Sequence, residues 1–168
     1  MKTRHSNRGF SLIEVLVALL IVSFGLLGIA GTLLTATRSA SSSYLRQNAV
    51  QYAYDIVDRM RANATAATAG GPYTAALTAP SATTPSPNCT TTSCSSDAMA
   101  AWDVWEWQSL LHSNLPNGLG SVTVAGGGPS NTVTITVQVQ WTDTPGETAF
   151  NVAASKITPA TYTVVTSL

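Results

Sequence analysis

Twenty consecutive residues, from Val15 to Leu34, carry no charged side chain. At a helical rise of about 1.5 Å per residue, a segment of this length crosses the roughly 30 Å hydrocarbon core of a bilayer. Only two residues in the segment, Ser23 and Thr32, carry a hydroxyl group. The sequence therefore predicts one membrane-spanning helix close to the start of the chain.

A single carboxylate, that of Glu14, lies at the boundary of this apolar segment. A carboxylate costs about 2.5–3.5 kcal/mol at the centre of a bilayer and less near its surface, and ionisable groups in a membrane usually have a specific partner. We therefore expect Glu14 to have a function that compensates for this cost.

The residues before Phe10 are basic. Lys2, Arg4 and Arg8 are present without any acidic residue, a bias that keeps this end in the cytoplasm and sends the C-terminal part across the membrane. A secretory signal would have a shorter apolar core and a small-x-small cleavage site soon after it. The composition alone fits an uncleaved signal anchor as well.

In this chain Gly9 precedes Phe10 and the largely apolar run from Ser11 to Leu20. This arrangement around Glu14 closely resembles the class III leader of type IV prepilins. The resemblance implies that a prepilin peptidase cleaves after Gly9 and methylates the new amino terminus on Phe10. Residues 1–9 would be the leader, and residues 10–34 the transmembrane and assembly half of a long helix. In that family the carboxylate is thought to meet the amino terminus of a neighbouring subunit, an attraction that is strong in an apolar phase. Glu14 is thus the expected assembly ion-pair residue.

Further segments are similar to PilV-type minor pilins. They are residues 23–31, residues 55–63 with the run Asp-Arg-Met-Arg-Ala-Asn, Leu115 to Gly118, and the valine-rich strand that ends at Trp141. The resemblance implies a subunit that joins other minor pilins and the major pilin to prime or modify the type IV pilus used in twitching motility and adhesion. It also implies that the head lies in the periplasm of a Gram-negative bacterium and that the subunit contacts an inner-membrane assembly platform.

Two other functions stay open. A minor pseudopilin of a type II secretion system shares the same N-terminal segment. An adhesin or DNA-uptake subunit would use exposed tryptophans, although nucleic acid is not an expected partner. Without the leader, the chain has five basic and eight acidic residues, a formal charge of −3, and the basic residues are too scattered for clustered phosphate contacts.

The sequence carries no signature of an enzyme or of a cofactor site. His112 is the sole histidine after the leader, and no serine motif accompanies it. A glycine-rich phosphate loop is also missing. Cys89 and Cys94 would form a disulfide in an oxidising periplasm, and we reject a metal site because too few ligands are present.

Apolar positions continue beyond the membrane segment with helical spacing. Leu45, Ala49, Tyr52, Ile56 and Met60 define one face, which predicts an amphipathic half over residues 35–63 that ends near Ala62. Ion pairs are expected on its solvated surface between Asp55 and Arg59 and between Asp58 and Arg61.

Three glycines, Gly25, Gly28 and Gly31, recur inside the apolar half. They allow close approach of another helix. Because each glycine also weakens the helix by about 1 kcal/mol relative to alanine, the stripe equally fits a segment that bends or melts locally.

Residues 64–168 are expected to form the globular head. From Pro80 to Ser96 the chain has the composition of an exposed loop tied by the disulfide. Asp97 is then expected to cap a helix from Ala98 to about Ser113. Val104, Trp107, Leu111 and Leu115 form its apolar stripe, and Trp102 and Trp105 widen it; this tryptophan cluster fits a core, a subunit contact or a receptor-binding surface.

Strand patterns dominate the last third of the chain. Strict alternation from Val133 to Trp141 predicts a strand with one buried face. Shorter strands are expected at 121–125 and 161–166, and a weaker one at 149–153. Because the sheet needs an apolar cover, the face with Leu45 and Ile56 should pack on it. The predicted class is α+β, a type IV pilin-like fold with an extra helix and a disulfide loop.

Overall fold

The computed structural model describes residues 9–126, 132–143 and 158–168. Its first element is α1, a helix of 51 residues from Leu12 to Ala62. No proline interrupts it, and it ends where the Asn63 N–H bonds the Arg59 carbonyl at 3.1 Å. Length and end both agree with the prediction. The expected face is buried at Leu45, Ala49, Ile56 and Met60, whereas Tyr52 is only half-buried.

Two short elements follow that the sequence did not predict. Helix α2 spans Ala64–Ala69 and strand β1 spans Ala75–Thr78. Gly70 ends α2 with a φ of +84°, a left-handed conformation that glycine adopts without steric cost. Residues 64–78 therefore contribute regular structure to the head, and α2 packs beside α1 and α3.

Helix α3 spans Ser96–Asn114. The predicted cap at Asp97 is wrong, because the helix begins two residues earlier than expected and Ser95 is its N-cap. The Ser95 hydroxyl accepts the N–H of Ala98 at 3.3 Å, satisfying one of the donors that a helix start leaves free. Asp97 instead lies exposed in the first turn, where its negative charge interacts favourably with the positive end of the helix dipole.

Four antiparallel strands form one sheet in the order β1-β2-β3-β4. Strand β2 spans Leu119–Gly126, β3 spans Val133–Trp141 and β4 spans Ala160–Ser167. The bounds of β3 agree with the alternation, and β2 and β4 each extend slightly beyond their predicted ranges. The weaker strand candidate at 149–153 lies outside the described residues.

The inward face of the sheet packs against α1 and α3. Val133, Ile135, Val137, Val139 and Trp141 are all buried on it, as the alternation predicts. Gly120 shows how tightly α3 lies on β2, since a Cβ there would come within 2.4 Å of both the Leu111 and Trp107 side chains. The architecture is the predicted α+β fold, a long helix on an antiparallel sheet.

Candidate assembly site

The N-terminal half of α1 is an uncovered apolar helix. Every residue from Leu12 to Leu34 is exposed, and in the described part of the chain α1 is the one helix long and apolar enough to cross a membrane. An apolar surface of this extent needs a cover. No described residue of the head covers it, which fits a helix that lies in a bilayer or against other chains.

The hydroxyl groups within this half are paired inside the helix. The Ser23 hydroxyl donates to the Leu19 carbonyl at 2.7 Å, and the Thr32 hydroxyl donates to the Ile29 carbonyl at 2.8 Å. An apolar phase requires such pairing, because it supplies no partners of its own. This half of α1 is therefore chemically suited to a membrane.

The glycine stripe lies on an unbroken stretch of α1. A Cβ added at Gly25, Gly28 or Gly31 would meet no heavy atom within 4 Å, so nothing in the described chain packs into the stripe. Close helix approach and local melting both stay predictions about the assembled state.

Glu14 lies in the first turn of α1, which has its N-cap at Ser11. Its N–H bonds the Ser11 carbonyl at 3.0 Å, and its carboxylate has no ion-pair partner among the described residues. The side chain is exposed and lines a shallow apolar groove with Phe10 and Leu19. Gly9 and Phe10 are exposed as well, so the three residues predicted from the leader lie together at the free end of the helix.

A cluster of charges connects the other half of α1 to α3. The Arg59 guanidinium bonds Asp55 at 3.1 Å, as predicted, but it also contacts Asp103 at 3.3 Å and Glu106 across the helix interface. Its side chain is only 24% exposed. The predicted solvated location is therefore wrong for Arg59, although the Asp55 side chain is 40% exposed. Arg61 and Asp58 pair at 2.9 Å on the surface as expected.

The surroundings of Arg59 also change its acidity. Burial by itself would lower the pKa of this guanidinium, but the hydrogen bond to Glu106 and the charges of Asp55, Glu106 and Asp103 hold the pKa above its ordinary value. Asp103 and Glu106 on α3 thus share a cation with Asp55 on α1, and these charge-assisted contacts link the two helices.

Tyr73 extends this cluster into the core. Its ring is fully buried, and its hydroxyl donates to Asp103 at 2.7 Å. Burial and this hydrogen bond raise the pKa of Tyr73 well above its usual range. Nearby, the Asn63 amide donates to the Ser96 carbonyl at 2.8 Å, which ties the end of α1 to the start of α3.

Comparison with models of protein families identifies the family of this chain. A model described as the prokaryotic N-terminal methylation motif matches residues 4–30, and a model described as type IV pilin Tt1218 matches residues 33–105. The chain belongs to the type IV pilins. The second match ends inside α3, so strands β2 to β4 lie outside both. Neither the curated proteins nor the solved structures gave a match to this pilin.

Membership assigns a general role to the exposed helix. Type IV pilins are structural subunits that associate with a membrane and assemble with other pilin subunits into a pilus. The uncovered apolar half of α1 has the length and composition for both tasks. The rest of the pilin is a head carried at the other end of the same helix.

The loop between β1 and α3 is held in two ways. Cys89 and Cys94 form a disulfide, as the composition suggested. The Trp105 indole N–H also donates to the Ser81 carbonyl at 3.0 Å, and its ring lies 5.3 Å from that of Trp102. With Trp102 buried and Trp107 fully buried, the tryptophans of α3 pack the head and its loop.

Several residues that organise the head were missed from the sequence. Gln108 is buried and donates to the carbonyls of Ala76 at 3.1 Å and Gly120 at 2.9 Å, so its amide joins α3 to β1 and β2. One feature of the sequence indicates such residues: Asp103 and Gln108 are polar residues beside the apolar stripe of α3. In the described residues no group of three histidine, cysteine, aspartate or glutamate side chains could hold a metal ion, and His112 is exposed.

Proposed function

We propose that this pilin is a minor pilin of the PilV type, which co-assembles with other minor pilins to prime or modify the type IV pilus. One observation carries the assembly role, and the segments similar to PilV-type minor pilins support the finer assignment. Glu14 presents an exposed carboxylate without an ion-pair partner in the described chain, at the end of an uncovered apolar helix. Such a charge is costly in an apolar phase until an opposite charge reaches it.

The opposite charge is the amino terminus of a neighbouring subunit. Prepilin peptidase would create it by cleaving after Gly9, and methylation of the Phe10 amine would leave it cationic. The N-terminal methylation motif over residues 4–30 supports this processing. Before processing, the pilin would cross the inner membrane once with a periplasmic head; afterwards the assembly platform would move it into the fibre beside the major pilin.

The decisive experiment removes the charge of Glu14 in the full chain. Glu14→Ala and the isosteric Glu14→Gln should be cleaved and methylated normally, yet sheared fibres should contain roughly tenfold less of either variant, since the apolar ion pair is lost. Ser23→Ala, a small change on the same exposed helix, is the matched control. Normal incorporation of both Glu14 variants would refute the ion-pair role.

A deletion strain separates the pilus from a secretion machine, whose pseudopilins share the same N-terminal segment. Loss of pili and twitching with intact protein secretion supports the minor pilin. Loss of secretion with normal piliation would assign the chain to a type II secretion system instead.

A further inference from the structure

Among the described residues, strand β4 is the last strand of the sheet, and its outer edge pairs with no other described strand. Its inner edge pairs with β3 over its full length, from Ala160 opposite Trp141 to Ser167 opposite Thr134. The Leu168 N–H bonds the Val133 carbonyl at 3.0 Å, and the Val133 N–H bonds the Leu168 carbonyl. This reciprocal pair fixes which residues of β4 direct their backbone groups toward β3.

In an antiparallel ladder, hydrogen-bonded residues alternate along each strand. Counting back from Leu168, the even-numbered residues of β4 bond β3, and the odd-numbered ones direct N–H and C=O away from the sheet. These are Thr161, Thr163, Val165 and Ser167. All four are exposed, and none has a backbone hydrogen bond to a described residue on that side.

Nothing in the strand itself protects this edge. Residues 160–167 contain no charge and no proline, and their register with β3 has no bulge. Val165 is 64% exposed. Proteins usually guard a long edge strand with lysine, proline or a bulge, because an unguarded edge is a template for another strand.

We propose that the outer edge of β4 binds the edge strand of a neighbouring pilin head, antiparallel and through backbone hydrogen bonds. The inference rests on the proposed function, because it places this pilin beside other pilin heads. The partner chemistry follows from the edge: an extended, uncharged strand whose N–H and C=O groups match the four open residues.

The shared membrane determines which edge of the neighbour can pair. Antiparallel pairing of β4 with β4 of a second copy needs a two-fold axis perpendicular to the sheet, which would reverse α1. The two apolar halves would then point in opposite directions, and both could not enter one membrane from the same side. A neighbour that has the same strand order and lies in the same orientation presents its β1 edge, which runs antiparallel to β4.

The edge is continuous with the helix that mediates pilin assembly. Tyr44, Gln47, Gln51 and Tyr54 form an exposed tyrosine strip along α1, and the Tyr54 side chain neighbours that of Tyr162 on β4. The strip leads from the apolar half of α1 to the β4 edge. A subunit docked on the apolar helix can therefore reach both surfaces, and exposed tyrosines are typical of interfaces.

The test uses full-length variants in the piliated host. Thr163→Pro removes one outward N–H and leaves the ladder to β3 intact, and proline is tolerated at such edge positions. Val165→Lys places a charge at the edge. The controls are Thr163→Ala, which keeps the N–H, and Thr123→Lys, which puts the same charge on the same row of the outer face, two strands and about 10 Å from the edge.

We expect Thr163→Pro and Val165→Lys to reduce the amount of this pilin in sheared fibres, and the amount of other pilins co-purified from detergent-solubilised membranes, by roughly tenfold. Both controls should stay near wild type, and all four variants should keep the wild-type thermal unfolding midpoint in detergent. If the proline variant unfolds, the lysine variant alone decides the question.

Normal incorporation of a folded Val165→Lys variant would overturn the inference. An equal loss with Thr123→Lys would also overturn it, since the whole outer face would then be responsible. A homodimer in detergent that the edge variants abolish without affecting fibres would assign the edge to a second copy instead. Failure of the minor-pilin role is seen separately, as absence of the wild-type chain from fibres.

Discussion

Replacing Arg59 with methionine tests how strongly the charge cluster holds α1 against α3. The variant keeps most of the side-chain length but leaves Asp55, Asp103 and Glu106 without their shared cation. Breaking a fully buried pair costs about 3–5 kcal/mol. Because Arg59 is 24% exposed and Glu106 is 39% exposed, screening reduces the expected loss in unfolding free energy to about 2–3 kcal/mol.

Tryptophan fluorescence during urea unfolding in non-ionic detergent is a suitable assay, because all four tryptophans lie in α3 and β3 of the head. Arg61→Met is the matched control. Its pair with Asp58 is exposed, with side chains 49% and 70% accessible, so the expected loss is at most about 0.5 kcal/mol.

A double-mutant cycle isolates the contact between the helices. Asp103→Asn removes the charge but keeps an acceptor for Tyr73, and its coupling with Arg59→Met should be about 1 kcal/mol or more. If Arg59→Met costs no more than Arg61→Met, or if the coupling is indistinguishable from zero, the cluster does not stabilise the interface and our reasoning about it is wrong.

Three further predictions concern the head. Tyr73→Phe should lower the unfolding free energy by about 1–2 kcal/mol, because the buried Tyr73 hydroxyl donates to a carboxylate; the exposed Tyr44→Phe is a neutral control. Since the folded state raises the pKa of Tyr73, the stability advantage of the wild type is present below about pH 10 and is lost as pH rises above it. Gly120→Ala should cost about 1–3 kcal/mol by overpacking, whereas Gly71→Ala, which meets open space, should be neutral in the same unfolding assay. Reducing the disulfide should lower stability by at most about 2 kcal/mol, because it closes a short loop; a larger loss would mean that it organises more of the head than the loop.

The helix α1 and the strand β3 could be predicted from the sequence because their signals are local and periodic. An uncharged run of membrane length and a spacing of three or four residues specify a helix whatever it packs against. The alternation of β3 likewise identifies its buried face. The residues proposed for assembly, Gly9, Phe10 and Glu14, were found for the same reason, since the leader is a continuous segment.

Short elements and contacts between distant segments could not be predicted from the sequence. Helix α2 and strand β1 are too short for a periodic signal, and β1 exists because β2 lies beside it. The sequence predicts Asp97 as the cap of α3 because aspartate is a good cap. Serine is also a good cap, and only the observed helix start selects Ser95.

The sequence by itself determined that this chain carries an apolar helix of membrane length with one carboxylate near its start, because charge and hydropathy are properties of a continuous segment. The tertiary structure decided what the other polar residues do. It brings Arg59 to Asp103 and Glu106 across more than forty positions of chain, and within the described residues it leaves one edge of β4 unpaired. Both outcomes depend on which elements pack together, and hydrogen bonds or ion pairs between distant segments have no signature in either segment alone.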